Sequence, residues 1–354
     1  MATGAADGVR DAHVVLATDH FDADFEALTA QHGFRVDAIF PADAPTTAIV
    51  SAHGVRLRLE SSAASRPLSL HLLSDARMGA HVLPGGTTLE YRPFTTDYAM
   101  PAASPSLVIT HDTGGSGVGR AGMRYRDLLP DRWGGAFVAS HITIPEGGPV
   151  PDYVHFHKVR FQVIFVKSGW VRLVYEDQGE PFVMQAGECV LQPPQIRHRV
   201  LESSPGLEVI EIGTPALHDT IADWSLALPN GRGDASRDWS GQGFVRHVAA
   251  EATYQPWRIP GWEYRDTGIG DATGGLAGVR VARVMTGSSE AVTHQTEFAM
   301  LVVLRGEVTF ETDKEPSERL RESSSVAIPG GVAYRLVDAT PDCELLDVTL
   351  PANV

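Results

Sequence analysis

Between Ala136 and about Gly213 the chain is cut into short apolar runs parted by turn residues, and that spacing most restricts what it can fold into. The runs cover 137–144, 159–167, 170–175, 182–184, 189–191, 199–201 and 207–212, each too short for a core-spanning helix. Many short strands at close intervals predict an all-β barrel or jelly roll. A second pass through the pattern follows the connector Pro229-Asn230-Gly231-Arg232-Gly233-Asp234. Placing Gly306 on Gly169 sets His294 on His157, Ala299 on Gln162 and Val292 on His155, and the turn Pro329-Gly330-Gly331 then brings Tyr334 to the place of His198. The spacings agree: 41 residues separate His157 from His198, and 40 separate His294 from Tyr334. Self-similarity of this kind predicts two β-barrels of one design.

The earlier copy carries the chemistry. His155 and His157 are two residues apart, so on a strand both side chains point to one face. His198 follows Pro193-Pro194 and the run 189–191, and an antiparallel neighbour would bring it opposite the pair. Three neutral imidazoles so placed suit iron, nickel, copper or zinc. Gln162 offers an amide oxygen as a further ligand, although a strand glutamine serves equally well as a hydrogen-bond partner for substrate or water. In the later copy Val292 and Ala299 have no donor atom, so that barrel is expected to hold no complete metal site, with Glu297 the one further donor beside His294.

This pattern resembles the two motifs of the cupin superfamily, matched here by His155, His157, Gly169, Gly187, Pro193 and His198. Two positions depart from it. Gln162 stands where the family has a metal-binding Glu, and Gln195 where it has Gly. An amide in place of a carboxylate would leave a bound divalent ion its full positive charge and make it a stronger Lewis acid. The resemblance implies a mainly β two-cupin protein with two jelly-roll barrels. It also implies one divalent transition metal on His155, His157, His198 and Gln162, with iron first and nickel, manganese, copper and zinc open. The activity it implies is that of a non-haem Fe(II) dioxygenase acting on a small enol, diketone or aromatic compound. An isomerase or lyase, and a non-catalytic small-molecule-binding bicupin, are the alternatives.

Gln162, Arg172 and Tyr153 are the candidates for contact with substrate. Lys158, Arg160, Arg172, Arg197 and Arg199 form a local basic excess that would steer an anionic substrate. Lys158 and Arg160 alternate with His157 and should point away from it.

Residues 11–73 read differently. The run His13-Val14-Val15-Leu16 reads as a strand, 22–32 as an amphipathic helix closed by Gly33, and 34–40, 47–51 and 55–59 as three more strands, the last two joined at His53-Gly54. This βαβββ order resembles one module of the vicinal-oxygen-chelate family, whose metal ligands would fall at His13 and Glu60. With a single module visible, a scaffold or dimerisation role is expected. Residues 84–135 are rich in Gly and Pro and read in part as a linker wrapping the next domain, and Gly115-Ser116-Gly117-Val118-Gly119 reads as a flexible surface loop, since no strand runs into it. The predicted domains are 1–80, 81–228 and 229–354.

Composition excludes several classes of function. The chain has 354 residues and a formal charge of −15, which disfavours nucleic acid. No stretch approaches the roughly 18 apolar residues of a membrane helix, and the first residues lack the pattern of a secretory signal. Cys189 and Cys343, the only cysteines, fall in different predicted domains, so no disulfide framework is expected and a reducing cytoplasm fits. A small molecule is the expected partner. A homodimer stays open, since cupins often associate through their outer strands.

Overall fold

The computed structural model describes residues 9–353 apart from 75, 94–99, 114, 116, 235 and 288–289. The chain divides into two compact units, Met1–Ala99 and Met100–Val354.

In the first unit the strand Val14–Thr18 leads into a helix over Phe21–Glu26 that loosens into a π turn over Ala27–Gln31 and stops at Gly33, whose φ is +73°. The strands Arg35–Phe40, Thr47–Ala52 and Val55–Ser61 follow. Val55–Ser61 lies at the centre, parallel to Val14–Thr18 on one side and antiparallel to Thr47–Ala52 on the other. Alternation does the sorting: Leu57 and Leu59 are fully buried with Leu16, Leu28, Ala48 and Val50, while Arg56 and Arg58 point outward. A three-stranded sheet, Ser69–Leu73, Thr88–Arg92 and Gly79–Val82, adds Leu72, Leu83 and Leu89 to the same core.

The second unit is mainly β and holds two sandwiches built alike. In the first, a seven-stranded sheet runs in the order Val245–His247, Cys189–Leu191, Phe161–Ser168, Leu207–Thr214, Val138–Ile144, Arg124–Asp127 and Gly117–Val118. It packs on a sheet ordered Phe182–Gln185, Trp170–Tyr175, His198–Ser203, His155–His157 and Thr220–Ala222, with Gly148–Pro149 pairing beside His198–Ser203. In the second, the large sheet runs Tyr254–Pro256, Trp262–Asp266, Gly278–Val284, Glu344–Leu350, Phe298–Arg305, Ser325–Ala327 and Val108–Thr110, and the small one Glu318–Arg321, Glu307–Thr312 and Tyr334–Val337.

The repeat extends to detail. Phe161–Ser168 and Phe298–Arg305 both have eight residues, and both slip register at the same place, Val166/Ser168 and Val303/Arg305. The turn that follows each is a glycine with positive φ, +77° at Gly169 and +69° at Gly306. A Cβ there would stand 3.3 Å from the Leu207 Cα in the first and 2.9 Å from the Cys343 Cα in the second, so both conformation and space require glycine.

The long strands are apolar on both faces because each faces two cores. Phe161, Val163 and Phe165 join Phe298, Met300 and Val302 in one cluster shared by the two sandwiches, with Phe137 stacked on Phe298 at 4.3 Å. The alternate residues Gln162, Ile164 and Val166 face the interior of the first sandwich. Each sandwich also takes an edge strand from beyond its own repeat: Val108–Thr110 pairs with Ser325–Ala327, and Val245–His247 with Cys189–Leu191. Gly117–Val118 pairs with Arg124–Asp127, so this part of the expected flexible loop is instead an edge strand, while Ser116 lies outside the described residues.

A charged network ties the sandwiches together. Arg126 donates to His141 Nδ1 and to the Ser323 carbonyl, at 3.0 and 2.8 Å. The other ring nitrogen of His141 therefore donates to Glu208, at 2.9 Å, and Lys167 bridges Glu208 to Glu322. The hydrogen bond from His141, reinforced by Lys167, holds the Glu208 carboxyl down to about 2. Because this group's folded pKa is depressed, its contribution is complete above the ordinary carboxyl range and fades as pH falls toward 2. Glu208→Gln should therefore lower the thermal midpoint at pH 6 and lower it much less at pH 3. An equal loss at both pH values would contradict the assignment.

Candidate metal centre

His155 lies directly opposite His198 in an antiparallel ladder, and His157 is two residues further along the same strand. The ring centroids are 4.3 Å apart for His155 and His198, 5.1 Å for His155 and His157, and 5.2 Å for His157 and His198. One ring nitrogen of each lies within 4.8 Å of those of the other two, and this is the one such cluster of three or more potential ligands among the described residues. His155 is completely buried and His198 nearly so.

Each Nδ1 already has a partner. That of His155 donates to the Tyr153 carbonyl at 2.8 Å and that of His198 to the Ile196 carbonyl at 3.0 Å, while His157 Nδ1 is 2.9 Å from the Thr220 hydroxyl. A carbonyl only accepts, so in a neutral ring the proton sits on Nδ1 and the lone pair on Nε2. In His155 and His198 this leaves Nε2 to bind a metal, with the kind of outer hydrogen bond that usually orients metal-binding histidines. Asp152 lies 3.7 Å behind His155 Nδ1 with its side chain fully buried. Tyr175 stacks on His198 at 5.4 Å, and burial pushes its hydroxyl pKa up, against the hydrogen bond from Gln192.

Gln162 arrives from the facing sheet. Its amide nitrogen donates to Glu211 at 2.5 Å, which leaves the amide oxygen buried with no hydrogen-bond partner among the described residues. Three lone-pair-bearing imidazoles and one orphaned buried carbonyl oxygen make a donor set that fits a transition ion.

Below the histidines opens a cavity of about 440 Å³, the size of a small-ligand site. Its apolar walls include Ile142, Ile144, Ile164, Leu173, Val200 and Val209, and its polar lining includes His157, His198, Gln162, Glu211, Tyr153 and His218.

Tyr153 thus reaches the cavity, its ring 5.7 Å from that of His155. Arg172 does not. Strand alternation turns Leu173 inward and Arg172 outward, where it is exposed and 3.7 Å from Glu202. The other basic residues of the motif region also lie outside the cavity lining. Lys158 is near Asp219, Arg160 bonds Glu297 and Arg197 bonds Asp223. In the N-terminal unit His13 lies 3.4 Å from Asp11, and Glu60 accepts a hydrogen bond from Arg58.

The second sandwich is built against a cation. His294 Nδ1 lies 2.7 Å from the Thr296 hydroxyl, which itself donates to the Phe298 carbonyl at 3.0 Å. Arg258 donates to Asp347 at 2.8 Å and to the Tyr334 hydroxyl at 3.3 Å. Asp347 pairs with Leu301 as Glu211 pairs with Ile164, so a guanidinium is bound between the counterparts of Glu211 and His198. Burial and the charge of Arg258 both push His294 down. Leu301, Val303, Phe310 and Leu336 fill the remaining interior.

Sequence reasoning missed Glu211, Thr220 and His218. The one signal for Glu211 was a second carboxylate inside the apolar run 207–212, where both faces of the strand are buried and alternation does not say which way it points.

Comparison with known proteins agrees with this geometry. Residues 140–212 match the cupin domain family. The chain has the fold of several solved structures at low identity. Salicylate 1,2-dioxygenase from Pseudaminobacter salicylatoxidans is 15% identical, with 71% of this chain and 86% of that one covered, at a TM-score of 0.52. Protein YlbA from E. coli is 11% identical, with 73% and 96% covered, at 0.50. A point mutant of Bacillus subtilis oxalate decarboxylase is 10% identical, with 73% and 79% covered, at 0.50. No curated protein matches the chain. No helix among the described residues is long and apolar enough to cross a membrane.

Thr220 holds His157 by a side chain that can be changed without touching a ligand. Thr220→Val should weaken binding of a divalent transition ion by roughly tenfold, the lower end of the usual effect of such outer partners, in a competition titration against a chromophoric chelator. Unchanged affinity would show that His157 does not depend on Thr220.

Proposed function

We propose that this chain is a metal-dependent cupin enzyme, a dioxygenase of the non-haem Fe(II) type acting on a small oxygenated compound such as an enol, a diketone or a hydroxylated aromatic. The observation that carries this reading is the cluster of three imidazoles, each with Nδ1 in a hydrogen bond, whose ring nitrogens gather within 4.8 Å of one another beside a largely apolar cavity. His155, His157 and His198 would hold the ion, with Gln162 Oε1 the fourth donor. When bound, the ion supplies Lewis acidity and a one-electron redox couple at the head of the cavity. An all-neutral donor set preserves its positive charge, in keeping with the amide at 162.

The protein's own groups do the rest. Tyr153, Ile196 and Thr220 orient the rings, Tyr175 packs the far side of His198, and the isoleucine and valine walls keep water from the reacting end. The name of one similar fold, a salicylate 1,2-dioxygenase, points to the same class of chemistry, by analogy of fold alone. Glu211 inside the cavity favours one second reading, an isomerase or lyase in which a carboxylate moves a proton. We read the N-terminal unit as a scaffold or dimerisation module of vicinal-oxygen-chelate type, and the whole as a cytoplasmic protein.

Metal analysis of purified protein should find one transition ion per chain. His155→Ala and His198→Ala should each lose it, while His294→Ala should keep it. Equal loss from all three would place the ion elsewhere. Oxygen consumption with a panel of diketones, catechols and hydroxylated aromatics should then reveal turnover. Substrate conversion with no oxygen uptake would replace the dioxygenase reading with the isomerase or lyase one.

A further inference from the structure

We propose that Glu211 makes the cavity selective for a neutral, hydroxyl-bearing compound with an apolar body, and against a carboxylate of the same shape. This rests on the cavity being the substrate site, and it narrows the substrate class that the proposed reaction left open.

The cavity is layered. Gln162 and the histidines lie at its head, Glu211 and Ser140 pair across adjoining strands one layer down, and Ile142, Val209, Leu207 and Ile144 line the floor. A ligand that extends from the histidines toward the floor would set its oxygenated end near Glu211 and bury its remaining body against aliphatic side chains. Burial there rewards apolar surface at about 25 cal/mol per Å².

Two amides in the lining are held by bonds within the wall. Gln162 donates its amide N–H to Glu211, which fixes the amide so that its oxygen is the atom left over. Gln192 donates to the Tyr175 hydroxyl, which holds that amide in the wall. The one arginine among the described lining residues, Arg132, has its guanidinium 3.5 Å from the Asp127 carboxylate and is 41% exposed, so it sits at the solvent side already facing an anion. A phenol or enol O–H brings a donor to Glu211. A carboxylate brings a second negative charge beside Glu211 in a low-dielectric cavity, where the ion at the head is the only cation to meet it, since the described lining offers no unclaimed lysine or arginine. The basic residues near the motif do not change this, because Lys158, Arg160, Arg172 and Arg197 face outward carboxylates.

The test compares two ligands matched in shape, 4-propylphenol and 4-propylbenzoate, titrated calorimetrically into the full-length protein as purified, without oxygen so that no turnover intervenes. The wild-type protein should bind the phenol at least roughly tenfold more tightly, the worth of one hydrogen bond to a charged group. Glu211→Gln, which keeps the size and removes the charge, should weaken the phenol and strengthen the benzoate, so that the preference collapses. Wild-type protein that binds the benzoate as tightly as the phenol would overturn the proposal before any variant is made. A preference unchanged by Glu211→Gln would overturn it as well. Metal content measured on the same samples separates the two readings: a phenol preference in protein that never holds metal defeats the metal-dependent function alone, and a benzoate preference in metal-loaded protein defeats the selectivity alone.

Discussion

The antiparallel pairing that sets His155 opposite His198 is the constraint on which the rest of the site depends. Register in a strand pair is all or nothing for side-chain direction, since a slip of one residue turns every side chain to the other face. Here the slip would send both His155 and His157 out of the sandwich. The register is held from both sides, by Thr220–Ala222 along His155–His157 and by Trp170–Tyr175 along His198–Ser203. The same ladder places Tyr175 beside His198 and the Thr220 hydroxyl against His157. Ring position, tautomer and packing thus follow from one piece of sheet.

The duplicated architecture shows how little of a fold decides what it does. Both sandwiches keep the strand lengths, the register slip and the positive-φ glycine, and both bury one face of their long strand in a common core. They differ inside. The first leaves an apolar cavity under three imidazoles, whereas the second fills its interior with leucine, valine and phenylalanine and ties Arg258 to Asp347 and Tyr334. The Arg258 guanidinium occupies the space between the counterparts of Glu211 and His198, and only His294 remains of the three imidazoles. The second copy shares with the first the core formed by Phe161, Val163, Phe165, Phe298, Met300 and Val302.

Much of this was legible in the chain itself, for identifiable reasons. Strand positions followed from run length and alternation, and the repeat from glycine, histidine and turn spacing. The His155, His157 and His198 grouping followed because period-two geometry and an antiparallel return are local rules. What escaped reading depends on which face of a doubly buried strand looks inward. Glu211 looked no different from Glu208, yet one lines the cavity and the other anchors a network between the sandwiches. Arg172 was set among the candidates by proximity to the motif, but its neighbours Leu173 and Val171 take the inner face. Thr220 and His218 come from chain that returns after the last long strand, and Arg258 from an irregular segment, so neither position has a periodicity to reveal it.

X-ray absorption spectroscopy of the cobalt-loaded protein asks most directly whether the first sandwich is a three-imidazole cage. The account predicts one cobalt per chain, three imidazole nitrogens in its coordination sphere, and oxygen donors in the remaining positions. Fewer than three imidazoles around the ion, or a second ion bound as tightly as the first, would contradict it.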